Sequence, residues 1–491
     1  MKLKTKITNL TTGGPLVAIL NLADANLLNV KPLDRININY NKKKATAIVD
    51  LDIESKHVKR GEIGLFHELG KKLNLKSKIE IKINKAIKPE SLYHIREKLD
   101  GKTLKKEDIE EIINDINDNN LTESEIAYFI SGCYKKDLTA EETAYFAQAL
   151  IKNIEKLGLK EKIIVEKHCI GGLAGNRTTP IVVPIIAAAG IIIPNTSTRS
   201  ITSAAGTTDV VEIIMPIAHK KEEIKNIIKK TNGCLVWDGN LNISSAENKI
   251  IKIEKPVNLD CEGIMIASIL AKKVTLNATH VLIDIPFGRE TKVTIKKEAK
   301  LLKKGFISLG KKLNMKIKVA ITNGSQPIGN GIGPALEAKD VLLVLQNIGP
   351  EDLKNKSIKL AGIILKMCGK PKKLARILLE SGEAYKKMKE IIIAQGGNPN
   401  IQPEEIKLSK FKKTIYSNKK GKIKKVDNLL TSKYAKLAGA PSEKGSGIYL
   451  HKHKKDKIKE KEPLFTVYSE DKLRLVHIVA LNKRNPIYII K

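Results

Sequence analysis

The sequence predicts a multidomain protein of mixed α/β and α+β class. The chain has 491 residues, which is long for a single domain, and 42% of them are hydrophobic, enough for several cores. Short strand-like segments dominate both ends of the chain. Between those ends, a helical region is followed by alternating strands and helices, which is typical of an α/β domain.

Residues 1–86 predict a β-rich N-terminal domain. Apolar runs at 15–20, 45–51 and 79–83 are separated by turn residues and charges, which is the pattern of short strands.

A small α-helical bundle is predicted for residues 87–160 together with residues 250–275. Thr122 and Thr139 each begin a capping box before an apolar-periodic run, which marks the N-terminus of a helix. The apolar segment 260–273 is also helical and returns the chain to this bundle.

A large α/β domain with a central sheet is predicted for residues 161–249 plus 276–340. Its strand-like runs are 162–165, 191–193, 233–236, 281–285 and 316–321. Residues 341–491 predict helices to about 395 and then, beyond 420, a C-terminal α+β or barrel-like domain.

Composition excludes some classes of protein. The net charge of +35 is spread over the whole chain, and lysine, isoleucine and asparagine are enriched together, which indicates codon bias rather than a nucleic-acid surface. We therefore expect no nucleic-acid partner. The alternative, from another class of function, is a protein that binds RNA.

The five cysteines are widely spaced and predict neither a disulfide framework nor a zinc site. The N-terminus has no apolar signal region, and no stretch reaches the roughly 20 apolar residues of a membrane span, so we expect a cytoplasmic protein.

Two polar loops predict an oxyanion site. The first, Lys167 to Gly172, follows a predicted strand and so lies at the carboxyl end of the sheet, with a lysine to neutralise phosphate and glycines for close backbone approach. The second, Ser197 to Thr207, places many hydroxyl groups beside Arg199. A pair of ordinary glycine-rich turns is the alternative interpretation.

Two further segments add candidate residues for a heterocyclic base. Asp260 precedes an apolar helix that carries Ser268, although from spacing alone Asp260 is a helix cap. Lys292 follows a strand and a glycine turn, and from spacing alone it is a surface lysine.

Together these segments resemble the thymidine/pyrimidine-nucleoside phosphorylase family, from about Ser91 to the C-terminus. The shared motifs are K-H-x-I-G-G-x-x-G-N-R-T-T at 167–179, S-x-R-x-I-T-S-x-A-G-T-x-D at 197–209, W-x-G-x-L-N-I at 237–243, L-D-x-E-G-x-x-x-A-S-x-L-x-K-K at 259–273 and A-G-A-P-x-x-K-G-x-G-I-x-L at 438–450. The additional β-rich segment before Pro89 points to the branch that acts on nucleoside 5′-monophosphates.

The resemblance implies that AMP and phosphate give adenine and ribose 1,5-bisphosphate in nucleotide catabolism, with CMP and UMP as further substrates. Asp260 would be the proton donor. The nucleotide would be bound by Gly172, Thr198, Arg199, Ser200, Ile201, Thr202, Ser203, Thr207, Ser268 and Lys292. Inorganic phosphate, the co-substrate, would be bound by Lys167, Cys169 and Ser197. The resemblance implies no cofactor or metal. It also implies a homodimer or a higher homo-oligomer, as in other proteins of the family.

Two departures and two alternatives remain. Cys169 stands where the family usually has serine, and a thiol is a weaker donor. A pyrimidine nucleoside (thymidine) phosphorylase is the nearest alternative, but those enzymes carry an arginine shortly before the position of Asp260, and residues 251–254 contain none. A phosphoribosyltransferase, which uses Mg²⁺-bound pyrophosphate, is the other alternative. The preferred base, and which loop holds the 5′-phosphate, stay open.

Overall fold

The computed structural model of the chain describes residues 1–152, 154–200, 203–240, 245–257 and 259–491. It divides into two units. The first is Met1–Asn153 with Ser244–Ser268, and the second is Ile154–Ile243 with Ile269–Lys491. Among the described residues, no helix is both long enough and apolar enough to cross a membrane.

The first unit begins with a closed six-stranded barrel. Its elements are β1 (Lys2–Ile7), β2 (Val17–Asn21), α1 (Leu22–Leu28), β3 (Arg35–Tyr40), β4 (Lys43–Asp52), β5 (Glu62–Leu65), α2 (His67–Leu73) and β6 (Glu80–Lys85). The strand order is β1-β5-β2-β4-β3-β6. Alternate residues of the strands point inward and form a hydrophobic core, as the period-two pattern requires. The barrel contains all three strands predicted for this β-rich region.

A helical bundle follows the barrel. Its helices are α3 (Ser91–Leu99), α4 (Lys106–Asp118), α5 (Glu123–Lys135) and α6 (Ala140–Lys152). Both capping boxes are confirmed. The Thr122 hydroxyl accepts from the Glu125 N–H at 3.3 Å, while the Glu125 carboxylate accepts from the Thr122 N–H at 2.8 Å. Thr139 and Glu142 form the same reciprocal pair.

The second unit contains a parallel sheet. The elements between residues 165 and 323 are, in chain order, β7 (Val165–Cys169), α7 (Thr179–Ala188), β8 (Ile193–Ser197), α8 (Thr207–Ile214), α9 (Lys221–Thr231), β9 (Gly233–Trp237), α10 (Ser245–Glu254), α11 (Glu262–Thr275), β10 (His280–Phe287), α12 (Lys296–Lys312) and β11 (Lys316–Asn323). Helix α10 and the start of α11 belong to the first unit. Strands β11-β10-β7 and β8-β9 pair in parallel, and the Val165 N–H donates to the Ile192 carbonyl at 2.8 Å, which joins the two sheets.

Helix α7 lies in the centre of this unit. Its apolar residues, including Ile181, Val183 and Ile185, are completely buried, which fits a helix that is hydrophobic on all sides. The helices that follow pack into the same core: α13 (Pro334–Leu345), α14 (Glu351–Met367), α15 (Leu374–Glu380) and α16 (Glu383–Ala394), after the short strand β12 (Gly331–Ile332). The four domain ranges given by the sequence stay a prediction.

The C-terminal part is α+β, as the sequence predicts. It comprises β13 (Phe411–Tyr416), β14 (Gly421–Val426), α17 (Asn428–Leu437), β15 (Gly447–Leu450), β16 (Lys457–Ile458), β17 (Pro463–Ser469), α18 (Lys472–Arg484) and β18 (Tyr488–Ile490). Strands β12-β15-β17-β13 form one sheet and β16-β14-β18 another. The mixed architecture of helical bundle, α/β sheet and α+β region confirms the predicted fold class.

Candidate active site

A buried lysine lies in the sheet of the second unit. Lys167 is 1% exposed, and its Nζ donates to the hydroxyl of Thr178 at 2.8 Å and to the hydroxyl of Thr179 at 3.0 Å. Thr179 is the first residue of α7, whose N-terminus carries partial positive charge. Burial lowers the pKa of Lys167. The hydroxyls are neutral, and the nearby Asp284 and Glu166 carboxylates offset only part of the effect of burial, so an anion at this position would stabilise the ammonium group further.

The sequence misplaced this part of the site by a few residues. It assigned the strand to residues 162–165 and the following loop to Lys167 and beyond, whereas β7 runs from Val165 to Cys169. Lys167 and Cys169 therefore lie on the strand itself. The polar residues of β7 are stable inside the sheet because they have internal partners: Glu166 pairs with Lys273 at 2.8 Å.

His168 marks an electropositive region beside Lys167. Burial lowers its pKa well below the ordinary value, and the nearby ammonium groups of Lys273, Lys272, Lys167 and Lys292 lower it further. The imidazole is therefore neutral near physiological pH. Two of these ammonium groups already have carboxylate partners, since Lys273 pairs with Glu166 at 2.8 Å and Lys272 with Asp238 at 3.5 Å.

Cys169 is a hydrogen-bonded thiol. Its Sγ accepts from the side-chain amide of Asn176 at 3.1 Å and from the N–H of Gly171 at 3.4 Å. Burial raises the pKa of the thiol, so it stays protonated near neutral pH. Its role as a phosphate ligand stays a prediction.

A buried carboxylate lies behind this thiol. Asp284 in β10 pairs with Lys356 at 3.1 Å and accepts from the Thr322 hydroxyl at 2.6 Å. Burial opposes ionisation of Asp284, but Lys356, Lys167 and the Thr322 hydroxyl together hold its pKa below the ordinary value. Asp284 is thus a counter-ion that Lys356 and Lys167 share.

Gly172 and Lys292 are brought together by the fold. Gly172 has φ +82°, and a Cβ atom there would lie 2.5 Å from the Lys292 backbone nitrogen. The Gly172 carbonyl also accepts from Asn428 at 2.8 Å. Only glycine allows the first loop to run against the segment that carries Lys292. These two predicted ligands, 120 positions apart in the sequence, are therefore neighbours.

The second segment is organised by an aspartate that the sequence analysis did not single out. The Asp209 carboxylate accepts from the N–H groups of Ser200 and Gly206, both at 2.8 Å, and so folds the loop onto the N-terminus of α8. A Cβ at Gly206 would lie 2.6 Å from the Ser200 nitrogen. The Ser203 hydroxyl donates to the Ala205 carbonyl at 2.8 Å.

The remaining residues of this segment lie along the end of β8 and the start of α8. Ser197 is the last residue of β8, and its hydroxyl lies 2.9 Å from that of Thr208. Thr198 follows Ser197, and Thr207 is the first residue of α8. The predicted ligands Ile201 and Thr202 lie outside the described residues.

Arg199 is engaged by acidic groups. Its guanidinium contacts the Glu212 carboxylate at 2.7 and 2.9 Å and Asp209 at 3.3 Å, and it lies 5.4 Å from the centre of the Trp237 ring. The hydrogen bond from Arg199 lowers the pKa of Glu212 to about 2. A phosphate bound here would compete with Glu212 for the guanidinium, so the role of Arg199 as a nucleotide ligand stays a prediction.

Arg177 joins the two segments. This residue follows the first loop, and its guanidinium donates to the Glu337 carboxylate of α13, to the Ala205 carbonyl and, at 3.2 Å, to the Thr207 hydroxyl. Burial raises the pKa of Glu337, although the neighbouring Arg177 guanidinium acts to lower it. The sequence identified Arg177 only as part of a motif, because its partners lie far along the chain.

The proposed proton donor belongs to the other unit. Asp260 lies two residues before α11, and Ser268 lies within that helix, both in the first unit. The Gly263 N–H in the first turn of α11 donates to Asp137 at 3.1 Å. The helix begins at Glu262 rather than at Asp260 as predicted.

The comparisons with known proteins define the class. Residues 93–154 match the helical bundle domain of the glycosyl transferase family, and residues 161–392 match its a/b domain. The protein is thus a glycosyl transferase built on a helical bundle and an α/β domain.

Relatives that match along nearly the whole chain identify the family within this class. AMP phosphorylase of Thermococcus sibiricus is 41% identical, with 100% of this chain and 98% of the relative covered. AMP phosphorylase of Pyrococcus horikoshii is 43% identical, with 99% and 97% covered. AMP phosphorylase of Thermofilum pendens is 39% identical, with 97% and 92% covered. The chain belongs to the family of archaeal AMP phosphorylases, which confirms the resemblance seen in the sequence.

Solved structures share the fold at low sequence identity. Anthranilate phosphoribosyltransferase from Thermus thermophilus has a TM-score of 0.52 and 14% identity, covering 61% of this chain and 98% of that one. The Saccharomyces cerevisiae enzyme, in complex with PRPP and Mg, has a TM-score of 0.50 and 12% identity, covering 62% and 97%. At such identities the likeness concerns the fold alone.

Proposed function

We propose that this chain catalyses the phosphorolysis of AMP, giving adenine and ribose 1,5-bisphosphate, with CMP and UMP as further substrates. The observation that carries the proposal is similarity along the whole chain to proteins named AMP phosphorylase. In this proposal Lys167 of β7, which donates to two hydroxyl groups at the N-terminus of α7, would supply the oxyanion site that such a reaction needs.

In the proposed reaction, inorganic phosphate lies at the carboxyl end of β7. Phosphate is a heavily hydrated and weak nucleophile, so its binding by Lys167 and by the N-terminus of α7 would orient one oxygen toward C1′. Cys169 and Ser197 are the other proposed phosphate ligands. The phosphate oxygen forms the new bond to C1′ while the N-glycosidic bond breaks through an oxocarbenium-like transition state.

The leaving adenine departs with the electron pair of the broken bond. Asp260 is the proposed proton donor to the base, which removes the developing negative charge, and a positioned acid contributes about 10²–10⁴-fold to such a step. The nucleotide itself would be bound by Gly172, residues 198–203, Thr207, Ser268 and Lys292.

The proposal is tested by release of free base from AMP, CMP, UMP and adenosine, each with and without inorganic phosphate. We expect adenine release from AMP only when phosphate is present, and slow or no release from adenosine. Release from adenosine but not from AMP would contradict the proposal and favour a nucleoside phosphorylase. A requirement for pyrophosphate in place of phosphate would favour a phosphoribosyltransferase.

The proton donor is tested by Asp260→Asn, which should lower kcat about 10²–10⁴-fold without preventing AMP binding. Asp50→Asn, at an exposed position of β4, is the matched control and should leave kcat unchanged. An unaltered kcat in Asp260→Asn would remove this residue from the mechanism. The expected homodimer or larger homo-oligomer is tested separately by light scattering.

A further inference from the structure

A histidine and three carboxylates meet between two helices of the first unit. His94 and Glu97 lie one turn apart on α3, and Asp108 and Glu111 lie one turn apart on α4. The i, i+3 spacing places each pair on one face of its helix. These four residues, here called the His94 cluster, play no part in the proposed reaction.

The imidazole of His94 has one ring nitrogen without a hydrogen bond. Its Nδ1 atom is buried and has no hydrogen-bond partner. The nearest carboxylate oxygens are Oε2 of Glu97 at 3.7 Å and Oδ1 of Asp108 at 3.6 Å. An unprotonated nitrogen this close to two carboxylate oxygens is electrostatically unfavourable, and a cation bound between them would relieve the repulsion.

A proton on Nδ1 fits these distances poorly. An N–H···O hydrogen bond spans about 2.7–3.2 Å, and both separations are longer. Two ligands of one tetrahedral Zn²⁺, each about 2.0–2.2 Å from the metal, lie about 3.4 Å apart, which is close to both observed values. The three ligand atoms of His94, Glu97 and Asp108 all lie within 4.8 Å of one another.

The other oxygen of each carboxylate is already held in place. Oε1 of Glu97 accepts from the Lys102 ammonium at 3.2 Å, and Oδ2 of Asp108 accepts from the Lys105 N–H at 2.8 Å. These contacts leave Oε2 of Glu97 and Oδ1 of Asp108 facing the imidazole. Both carboxylates are thus oriented as ligands before any cation arrives.

Glu111 completes the arrangement from the other side of the ring. Its Oε2 atom lies 3.3 Å from Nε2 of His94, slightly beyond the usual hydrogen-bond range but closer than either carboxylate oxygen lies to Nδ1. A metal-binding histidine usually donates its second ring N–H to a carboxylate, which fixes the tautomer and makes the ligating nitrogen more basic. With the proton on Nε2, the unprotonated Nδ1 is the metal ligand.

We propose that the His94 cluster is a structural site for a divalent transition metal of the zinc type. His94, Glu97 and Asp108 supply one nitrogen and two oxygen ligands, water completes the tetrahedron, and Glu111 orients the imidazole. The metal cross-links α3 and α4 and thereby stabilises the helical bundle. Imidazole suits Zn²⁺ and disfavours Mg²⁺, so the site discriminates between the two.

The test is zinc binding to the full-length protein after removal of metals with a chelator. Equilibrium dialysis should show one more tightly bound Zn²⁺ per chain in the wild type than in His94→Gln, and Zn²⁺ should raise the wild-type Tm more. Glu110→Gln is the matched control on α4, because Glu110 pairs with Lys152 outside the cluster, and it should bind zinc as the wild type does. Equal stoichiometry in the wild type and His94→Gln would overturn the proposal, as would a response to Mg²⁺ equal to that for Zn²⁺.

Graded variants separate metal binding from simple loss of structure. Glu111→Gln keeps all three ligands and should weaken zinc binding about 10–100-fold, with an unchanged Tm in the absence of metal. Co²⁺ bound at the cluster should show no thiolate-to-metal charge-transfer band, which distinguishes it from binding at a cysteine. A full thiolate band, or zinc affinity unchanged in Glu111→Gln, would contradict the assignment. Phosphorolysis of AMP should be the same in His94→Gln as in the wild type, so failure of this site leaves the proposed function standing.

Discussion

The β7–α7 and β8–α8 segments have the same order of elements, but their basic side chains differ in burial and in hydrogen-bond partners. Each is a parallel strand, a polar loop and a helix. In the first, Lys167 is buried and hydrogen bonds to neutral hydroxyls. In the second, Arg199 has a side chain that is 44% exposed and is paired with Glu212 and Asp209.

The difference indicates which segment is ready for an anion. A charge in a low-dielectric interior interacts strongly with any counter-ion that reaches it, whereas an exposed ion pair is screened by water. Phosphate binding should therefore be more favourable at Lys167 than at Arg199, because Arg199 would first have to break its ion pair with Glu212. This favours the first segment for the attacking phosphate and the second for the nucleotide.

The largest effect is expected from breaking the link between the two segments. Arg177→Gln leaves Glu337, which is 1% exposed, without its charge partner, and removes the hydrogen bonds to Ala205 and Thr207. Loss of one partner of a buried ion pair costs about 3–5 kcal/mol, so the free energy of unfolding should fall by that amount in a denaturant titration. Arg376→Gln, which breaks the exposed pair with Glu380, is the control. A loss as small as in the control would mean that Arg177 does not hold the segments together.

The next effect sharpens the comparison directly. Lys167→Met keeps the apolar stem and removes the charge, so kcat/KM for phosphate should fall about 10²–10³-fold, as for loss of one buried anion-stabilising donor. Steady-state kinetics with varied phosphate measures this value. Lys162→Met, at an exposed position before β7, should have no effect. If kcat/KM for phosphate were unchanged in Lys167→Met, the attacking phosphate would not bind in the first segment.

A smaller effect concerns the approach of the first loop to Lys292. Gly171 and Gly172 both have positive φ, but a Cβ at Gly171 meets open space, whereas a Cβ at Gly172 meets the Lys292 backbone. Gly171→Ala should cost about 1–2 kcal/mol of stability from backbone strain alone. Gly172→Ala should cost more, because of overpacking, and should also raise KM for AMP. Equal effects of the two substitutions would show that Lys292 needs no such contact.

The smallest effect tests the second segment. The folded-state pKa of Glu212 is lowered to about 2 by Arg199, so its stabilising contribution is present above the ordinary value of 4.5 and is lost as the pH falls toward 2. Glu212→Gln should remove less than about 1 kcal/mol at neutral pH, because the pair is partly exposed. The variant should also lose less stability than the wild type between those two pH values, as measured by Tm. A parallel pH dependence in both proteins would contradict the pairing.

Local features of the fold could be predicted from the sequence, whereas distant partnerships could not. The capping boxes at Thr122 and Thr139 depend on residues three positions apart, so spacing is enough to find them. The pairing of Arg177 with Glu337 joins residues 160 positions apart, and nothing local encodes it. Polar β7 was misplaced for the same reason, since Glu166 is stabilised by the distant Lys273.

The candidate site shows the same limit. The sequence predicted most proposed ligands through a family resemblance. Asp209, which folds the second loop, entered only as the last residue of a shared motif, although its position at the start of a helix was a usable signal for its role. The His94 cluster was missed because its ligands come in pairs from two helices rather than in a short Cys/His motif.

The most direct test of the account is ³¹P NMR of the products formed from AMP and inorganic phosphate. Phosphorolysis predicts that the inorganic phosphate signal declines while a sugar with two phosphates, one at C1 and one at C5, appears in equal amount with free adenine. Formation of ribose 5-phosphate with an unchanged inorganic phosphate signal would show hydrolysis instead. That result would contradict the claim that a phosphate held at Lys167 is the nucleophile.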